Sequence, residues 1–185
     1  IDMDSAPEPK KSIVSSRSFG ERIGDIEGLK QAVSSYIYTA SVKLRKQNSL
    51  ASALSVFILT DRFKDEPQYN GSLTYRLPYP TSSTLELTDY AIRLLDRIYK
   101  KDFLYKKAGV MLDGIVPGGS VQYNLFTPDR SDPAVDRVMD SVNARYGDRT
   151  MFLGSAGTQR KWTMRRQFTS PHYTTDWNEL LKIKI

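Results

Sequence analysis

The pattern of residues along this 185-residue chain predicts an α+β fold: a four-stranded sheet connected βαββαβ, with two helices on one face, followed by a small helix-containing extension. Three observations support that expectation. Leu54, Val56 and Ile58, and again Leu73, Tyr75 and Leu77, recur at every second position, the period of a strand with one buried face. Leu29, Val33, Tyr36, Ile37, Ala40 and Leu44, and again Leu87, Tyr90, Ala91, Leu94, Leu95 and Ile98, recur at spacings of three and four, the period of an amphipathic helix. The segments follow in the order strand, helix, strand, strand, helix, strand, a split βαβ arrangement that leaves one sheet face open.

Each element has its own signals. Residues 1–11 (IDMDSAPEPKK) contain two prolines and no periodicity, and read as a linker. Ser12 to Phe19 suits a strand. Asp25 is placed to cap a helix running to about Gln47. Ala53 to Thr60 and Ser72 to Leu77 form the next two strands, joined through a turn around Glu66 to Gly71. Ser83-Thr84-Leu85-Glu86 matches a capping box, in which serine and glutamate each take up an unpaired amide at a helix start. Lys100 and Lys101 mark the end of that helix, and Tyr105 to Leu112 is the fourth strand, so the domain is expected over 12–112. Residues 113–131 read as a second linker. Asp132-Pro133 opens a third helix, with Val135, Val138, Met139, Val142 and Tyr146 as its inner stripe and Gly147 as its stop. A short apolar segment, Thr150 to Leu153, and a basic tail complete the extension over 132–185.

Composition narrows the function classes. Hydrophobic residues make up 39% and charged residues 26%, as in ordinary globular domains. No apolar run approaches the roughly 18 residues of a membrane span, and the first residues do not resemble a secretory signal. With no cysteine, a disulfide framework and thiolate metal sites are excluded. The net charge of +6 suits an anionic partner such as nucleic acid, and equally suits a merely soluble basic protein. Catalytic signals are missing. His172 is the only histidine, Gly118-Gly119 does not open a helix as a phosphate loop would, and Asp61, Asp65 and Glu66 fall in a loop rather than on strands.

Three segments carry binding signals. Ser16, Arg17, Ser18, Thr74, Arg76, Lys106 and Lys107 lie on strands or strand ends, where hydroxyls and cations could meet phosphate oxygens of a duplex in its major groove. Gly109, beside the lysines, would allow close approach of backbone. Gln122-Tyr123-Asn124-Leu125-Phe126 (QYNLF) sets an amide and two large apolar groups in a linker. There Gln122 could bond a pocket rim while Leu125 and Phe126 insert, or the two apolar groups could pack back on their own domain. Thr158 to Arg166 interleaves cations with Trp162, which could stack on bases or turn inward.

Collinear motifs then give the chain a family resemblance. SRSFGER (Ser16 to Arg22), KAGVML (Lys107 to Leu112), QYNLF, Val138-Met139-Asp140 with Asn143-Ala144, Trp162-Thr163-Met164-Arg165, and SPHYTT (Ser170 to Thr175) together resemble the C-terminal part of the UmuC family of Y-family DNA polymerases. The resemblance runs from about Pro9 to the end of the chain. It implies that 12–112 is a little-finger domain that holds primer-template DNA by its backbone, and that QYNLF is the peptide that docks the bacterial sliding clamp. It also implies that 132–185 is an extension contributing to contacts with processed UmuD, with RecA as a further candidate partner. The parent would be a magnesium-using, error-prone SOS translesion polymerase of the bacterial cytoplasm and nucleoid. Its palm carboxylates have no counterpart here, so neither catalysis nor a cofactor is expected of this piece. The alternative is a stand-alone interaction module for the clamp or UmuD. Two departures from the family pattern stand out: His172 where arginine is usual, and Tyr123 where leucine is usual in the clamp peptide.

Overall fold

The computed structural model describes residues 10–119, 133–158, 162–163, 170–171 and 173–180. Its elements are β1 (Ile13–Ile23), α1 (Ile26–Lys46), β2 (Ser49–Thr60), β3 (Asn70–Thr81), α2 (Thr84–Ile98), β4 (Tyr105–Pro117) and α3 (Pro133–Tyr146), with short 3-10 turns at Gly154–Ala156 and Trp177–Glu179. The sheet is antiparallel throughout, in the order β1-β4-β2-β3. β1 and β4 pair Ile13 with Leu112 and Ser16 with Gly109, and β4 and β2 pair Val110 with Val56. Leu54, Val56, Ile58, Ala108, Val110 and Leu112 therefore point to one face, where they meet Leu29, Val33, Ile37, Leu87, Ala91 and Leu95 of the two helices in a single core.

The strands run longer than their apolar alternation suggested. β4 continues through Asp113 to Pro117, pairing Ser49 with Pro117, so these residues belong to the sheet rather than to a linker. β1 passes an irregularity in its pairing with β4 between Ser18 and Ile23, and both Phe19 and Ile23 are buried. β3 contains Pro78 and Pro80, which a border strand tolerates because its outer amides need no ladder partner.

The helix starts follow local chemistry. Asp25 caps α1 by accepting the Gly28 amide at 2.6 Å. Only half of the expected capping box forms at α2. Ser83 accepts from the Glu86 amide, but the Glu86 carboxylate turns to the Tyr79 and Thr81 hydroxyls at 2.7 and 2.8 Å, and the Thr81 hydroxyl takes the Ser83 amide. The carboxylate finds two hydroxyl donors on the end of β3, and these outbid the single amide it would meet at home.

The extension packs on the helix layer. Trp162 is 2% exposed, its ring edge-on to Tyr36 of α1 at 5.7 Å, so the inward alternative holds for this side chain. Gly157, at φ +66, places its backbone where a Cβ would collide with the Gln31 side chain of α1. Ser34 and Ser35, which the apolar stripe of α1 left on the solvent side, are both buried.

α3 is turned relative to expectation. Its buried residues are Asp136, Met139 and Asn143, while Val138 is 50% exposed, Tyr146 is 66% exposed and Val135 also faces outward. Polar bonds cause the inversion. Arg45 near the end of α1 grips Asp140 with two bonds of 2.7 and 2.8 Å, lies 3.2 Å from Asp136, and donates to the Ser82 carbonyl and the Thr84 hydroxyl. Asp136 accepts the Thr84 amide at 3.2 Å, placing a carboxylate on the positive end of α2. Asn143 donates to the Tyr38 hydroxyl and exchanges two 2.8 Å bonds with the backbone of Met151.

Candidate nucleic-acid interface

The sheet face away from the helices is set by the phase of the ladders. β1 contributes Val14, Ser16 and Ser18; β4 contributes Lys107, Gly109 and Met111; β2 contributes Ala53, Ser55, Phe57 and Leu59; and β3 contributes Ser72, Thr74 and Arg76. Lys107 lies opposite Ser18 on one side and Leu59 on the other, and Arg76 lies opposite Ala53. At about 3.3 Å per residue, the two cations stand roughly 20 Å apart along the strands, wider than a major groove of about 12 Å. The Ser55 and Thr74 hydroxyls share a 2.7 Å bond between β2 and β3.

Five of the seven residues expected on this face come together there: Ser16, Ser18, Thr74, Arg76 and Lys107. The other two do not. Arg17 is one step out of phase, opposite fully buried Ala108 on the helix side, where its charge acts on Tyr36. Lys106 donates its ammonium to the Phe19 carbonyl at 2.9 Å, bracing the irregular part of β1. Gly109 also has a different role from the one expected. The Phe57 ring and Ser16 Cβ occupy the space a Cβ would need, so the missing side chain makes room for a neighbour on the same sheet. The face is accordingly mixed: Lys107 and Leu59 share a row at one end, Arg76 shares a row with the Asp113 carboxylate at the other, hydroxyls line both border strands, and Phe57 and Met111 lie between.

Gln122, Leu125 and Phe126 lie outside the described residues, as do Tyr123 and His172. Along the chain QYNLF falls between the end of β4 at Pro117 and the start of α3 at Pro133. α3, the Gly154–Ala156 turn and Trp162 pack on the helix layer, on the side of the domain away from the open sheet face. Among the described residues, no helix is long and apolar enough to cross a membrane.

Sequence reasoning missed the Arg45, Asp136, Asp140 and Asn143 group that sets the extension in place. A signal was present: positions 136, 140 and 143 carry hydrogen-bonding side chains at helical spacing, a polar stripe as regular as the apolar one beside it. Nothing in the sequence tied that stripe to Arg45.

The C-terminal domain model of the impB/mucB/samB family matches residues 10–125. The chain belongs to this family. A second model, a domain of unknown function (DUF4113), matches 133–183, the stretch that holds α3 and the rest of the extension. Among curated members of the impB/mucB/samB group, the chain is 36% identical over 188 residues to Protein UmuC of Salmonella typhimurium, covering 100% of this chain and 44% of that protein. It is 36% identical over 189 residues to Protein SamB of Salmonella typhimurium, with the same coverages. With Protein MucB of Escherichia coli the identity is 35% over 182 residues, covering 96% and 43%. The chain thus spans under half the length of the curated relatives it matches. Similar solved structures include a DinB family error prone DNA polymerase from Sulfolobus solfataricus, with 16% identity, TM-score 0.47 and coverage of 57% of this chain and 30% of that one. Another is the little finger domain of PolIV in a complex with the beta-clamp processivity factor, with 13% identity, TM-score 0.43 and coverage of 63% and 99%.

Proposed function

We propose that this chain is the non-catalytic, DNA-holding and partner-docking part of an error-prone SOS translesion DNA polymerase, whose magnesium-binding palm lies in a separate part of the parent protein. The observation that carries this reading is the convergence of Ser16, Ser18, Lys107, Thr74 and Arg76 on one sheet face, opposite the helices and the extension. Hydroxyls and cations spread over such a surface suit phosphate oxygens on both backbones flanking a groove, and they hold a duplex without reading its sequence. Phe57, Leu59 and Met111 add apolar contact with sugars and groove walls. The family assignment supports the reading, since UmuC, SamB and MucB are relatives along nearly the whole chain.

Gln122, Leu125 and Phe126 are the proposed anchors for the bacterial sliding clamp. The extension is the proposed surface for processed UmuD and RecA, and the protein works in the bacterial cytoplasm at the nucleoid.

Duplex affinity measured across a salt series tests the DNA-holding reading. Arg76→Ala and Lys107→Ala should each flatten the salt dependence by about one unit of slope per lost phosphate contact. Arg17→Ala, on the helix side, should leave the slope unchanged. Unaltered slopes for Arg76→Ala and Lys107→Ala would remove the sheet face from the mechanism.

A further inference from the structure

Phe63 stands 98% exposed at the tip of the loop that joins β2 to β3. Leaving that ring in water forgoes the stabilisation that burying it would give. The loop is nevertheless held firmly. The two hydrogens of the Gln68 side-chain amide are shared among the carbonyls of Asp61, Lys64 and Glu66 at 3.0, 2.9 and 3.0 Å, and its own carbonyl accepts the Thr60 hydroxyl at 2.7 Å. The Asp61 carboxylate accepts the Phe63 amide, the Lys64 amide donates to the Asp61 carbonyl, and Glu66 is paired with Arg22 of β1. At the base of the loop, the Tyr69 hydroxyl donates to the Ile98 carbonyl at the end of α2. These bonds fix the backbone that presents the ring, and nothing on its own chain covers the ring among the described residues.

The surroundings indicate what the ring meets. Arg62 and Lys64 flank it, both exposed. Of the three acids nearby, Asp61 is turned back to the loop backbone and Glu66 is neutralised by Arg22, which leaves Asp65 facing solvent. β2 pairs Leu59 with Lys107, and β4 pairs Lys107 with Ser18, so the loop prolongs the Lys107 end of the open sheet face. Beside it lies a shallow recess of about 390 Å³ whose lining includes Leu59, Arg62, Tyr69 and Asn70. A rigid aromatic ring between two cations combines a stacking surface with phosphate contacts, and stacking accepts any base because every base has a π-face.

We infer that Phe63 is a stacking platform for an unpaired nucleobase, at the place where DNA duplex lying on the open face gives way to single strand. Arg62 and Lys64 take the phosphates on either side of that nucleotide. This inference rests on the DNA-holding reading of the sheet.

The test compares the full chain on two DNAs: a blunt duplex, and the same duplex with a short single-stranded overhang carrying 2-aminopurine at its first unpaired position. The unaltered chain should favour the overhang DNA and change the 2-aminopurine fluorescence on binding. Phe63→Ala should weaken binding to the overhang DNA about tenfold, abolish the fluorescence change and leave blunt-duplex affinity within about twofold, while Phe63→Trp retains the preference. Because the ring is in water, both variants should keep the far-ultraviolet circular dichroism of the parent chain. Equal loss on the two DNAs, or no loss on either, overturns the inference. So does unchanged DNA binding with lost capture of the sliding clamp, which would assign the ring to a protein pocket. If the unaltered chain does not bind duplex at all, the sheet reading fails and the inference fails with it. Duplex binding without a Phe63 effect ends only the inference.

Discussion

Tyr36 illustrates how much one side chain of this fold depends on the extension. Its ring is buried against Trp162, its hydroxyl has no hydrogen-bond partner among the described residues, and burial pushes its pKa up to about 12, against the pull of Arg17 and Arg149. A tyrosine with a raised folded-state pKa contributes full stability below its unfolded pKa of about 10 and loses it as pH rises toward 12. At about 1.4 kcal/mol per pH unit, the loss is on the order of 2–3 kcal/mol by the upper end of that window. Tyr36→Phe removes both the unpaired hydroxyl and this titration. Denaturant titrations should show the variant at least as stable as the parent near pH 7, with a flatter decline between pH 10 and 12. A variant that declines as steeply as the parent would locate the alkaline sensitivity elsewhere, for instance at Tyr38, Tyr90 or Tyr105, whose values burial also raises.

At the scale of elements, α3 is held by charge more than by oil. Arg45 satisfies Asp140, Asp136, Ser82 and Thr84 at once, with only 15% of its side chain exposed. Removing it strands two carboxylates in a half-buried site, and truncating one partner of such a group costs about 3–5 kcal/mol. Arg45→Met should therefore lower stability by about 3 kcal/mol in chemical denaturation. Adding Asp136→Leu and Asp140→Leu to that background should restore part of the loss, because the stranded charges go with it. The same group explains which parts of the fold were legible in advance. The two core helices, the phase of β2 and β3 and the caps at Asp25 and Ser83 follow from short-range spacing, which the sequence displays directly. The orientation of α3 depends on an ion pair between residues 95 positions apart, and an apolar helical wheel holds no record of that. Arg17 and Lys106 were misplaced for a simpler reason: consecutive strand residues point to opposite faces, so Arg17 beside Ser16 and Ser18, and Lys106 beside Lys107, could not share their face.

The whole molecule separates its surfaces. The sheet presents hydroxyls and cations on one side, the extension covers the helices on the other, and the QYNLF segment falls in sequence between the two. If Leu125 and Phe126 serve a partner rather than the core, replacing both with alanine should abolish pull-down by the bacterial sliding clamp and leave helix content and melting unchanged. A sharp fall in melting temperature would instead assign those side chains to this chain's own interior, at a cost of several kcal/mol for lost burial. Thr74 and Arg76 were legible as a pair because alternation is read easily in β3, whereas Ser16 and Ser18 were taken together with Arg17, and Lys107 together with Lys106, although such neighbours point to opposite faces. Phe63 was not legible, since a lone aromatic in a polar loop has no periodicity to mark it, and its significance rests on Gln68 folding back across the turn.

The borders of the sheet have a consequence for how any protein partner can attach. Pro78 and Pro80 remove two amides from β3, and the displaced pairing between Ser18 and Ile23 breaks the regular run of β1. Neither rim offers the unbroken row of donors and acceptors that a visiting extended peptide would copy, and prolines and bulges at a rim oppose such growth. Both features work against the sheet adding a strand from another copy of the chain along these rims.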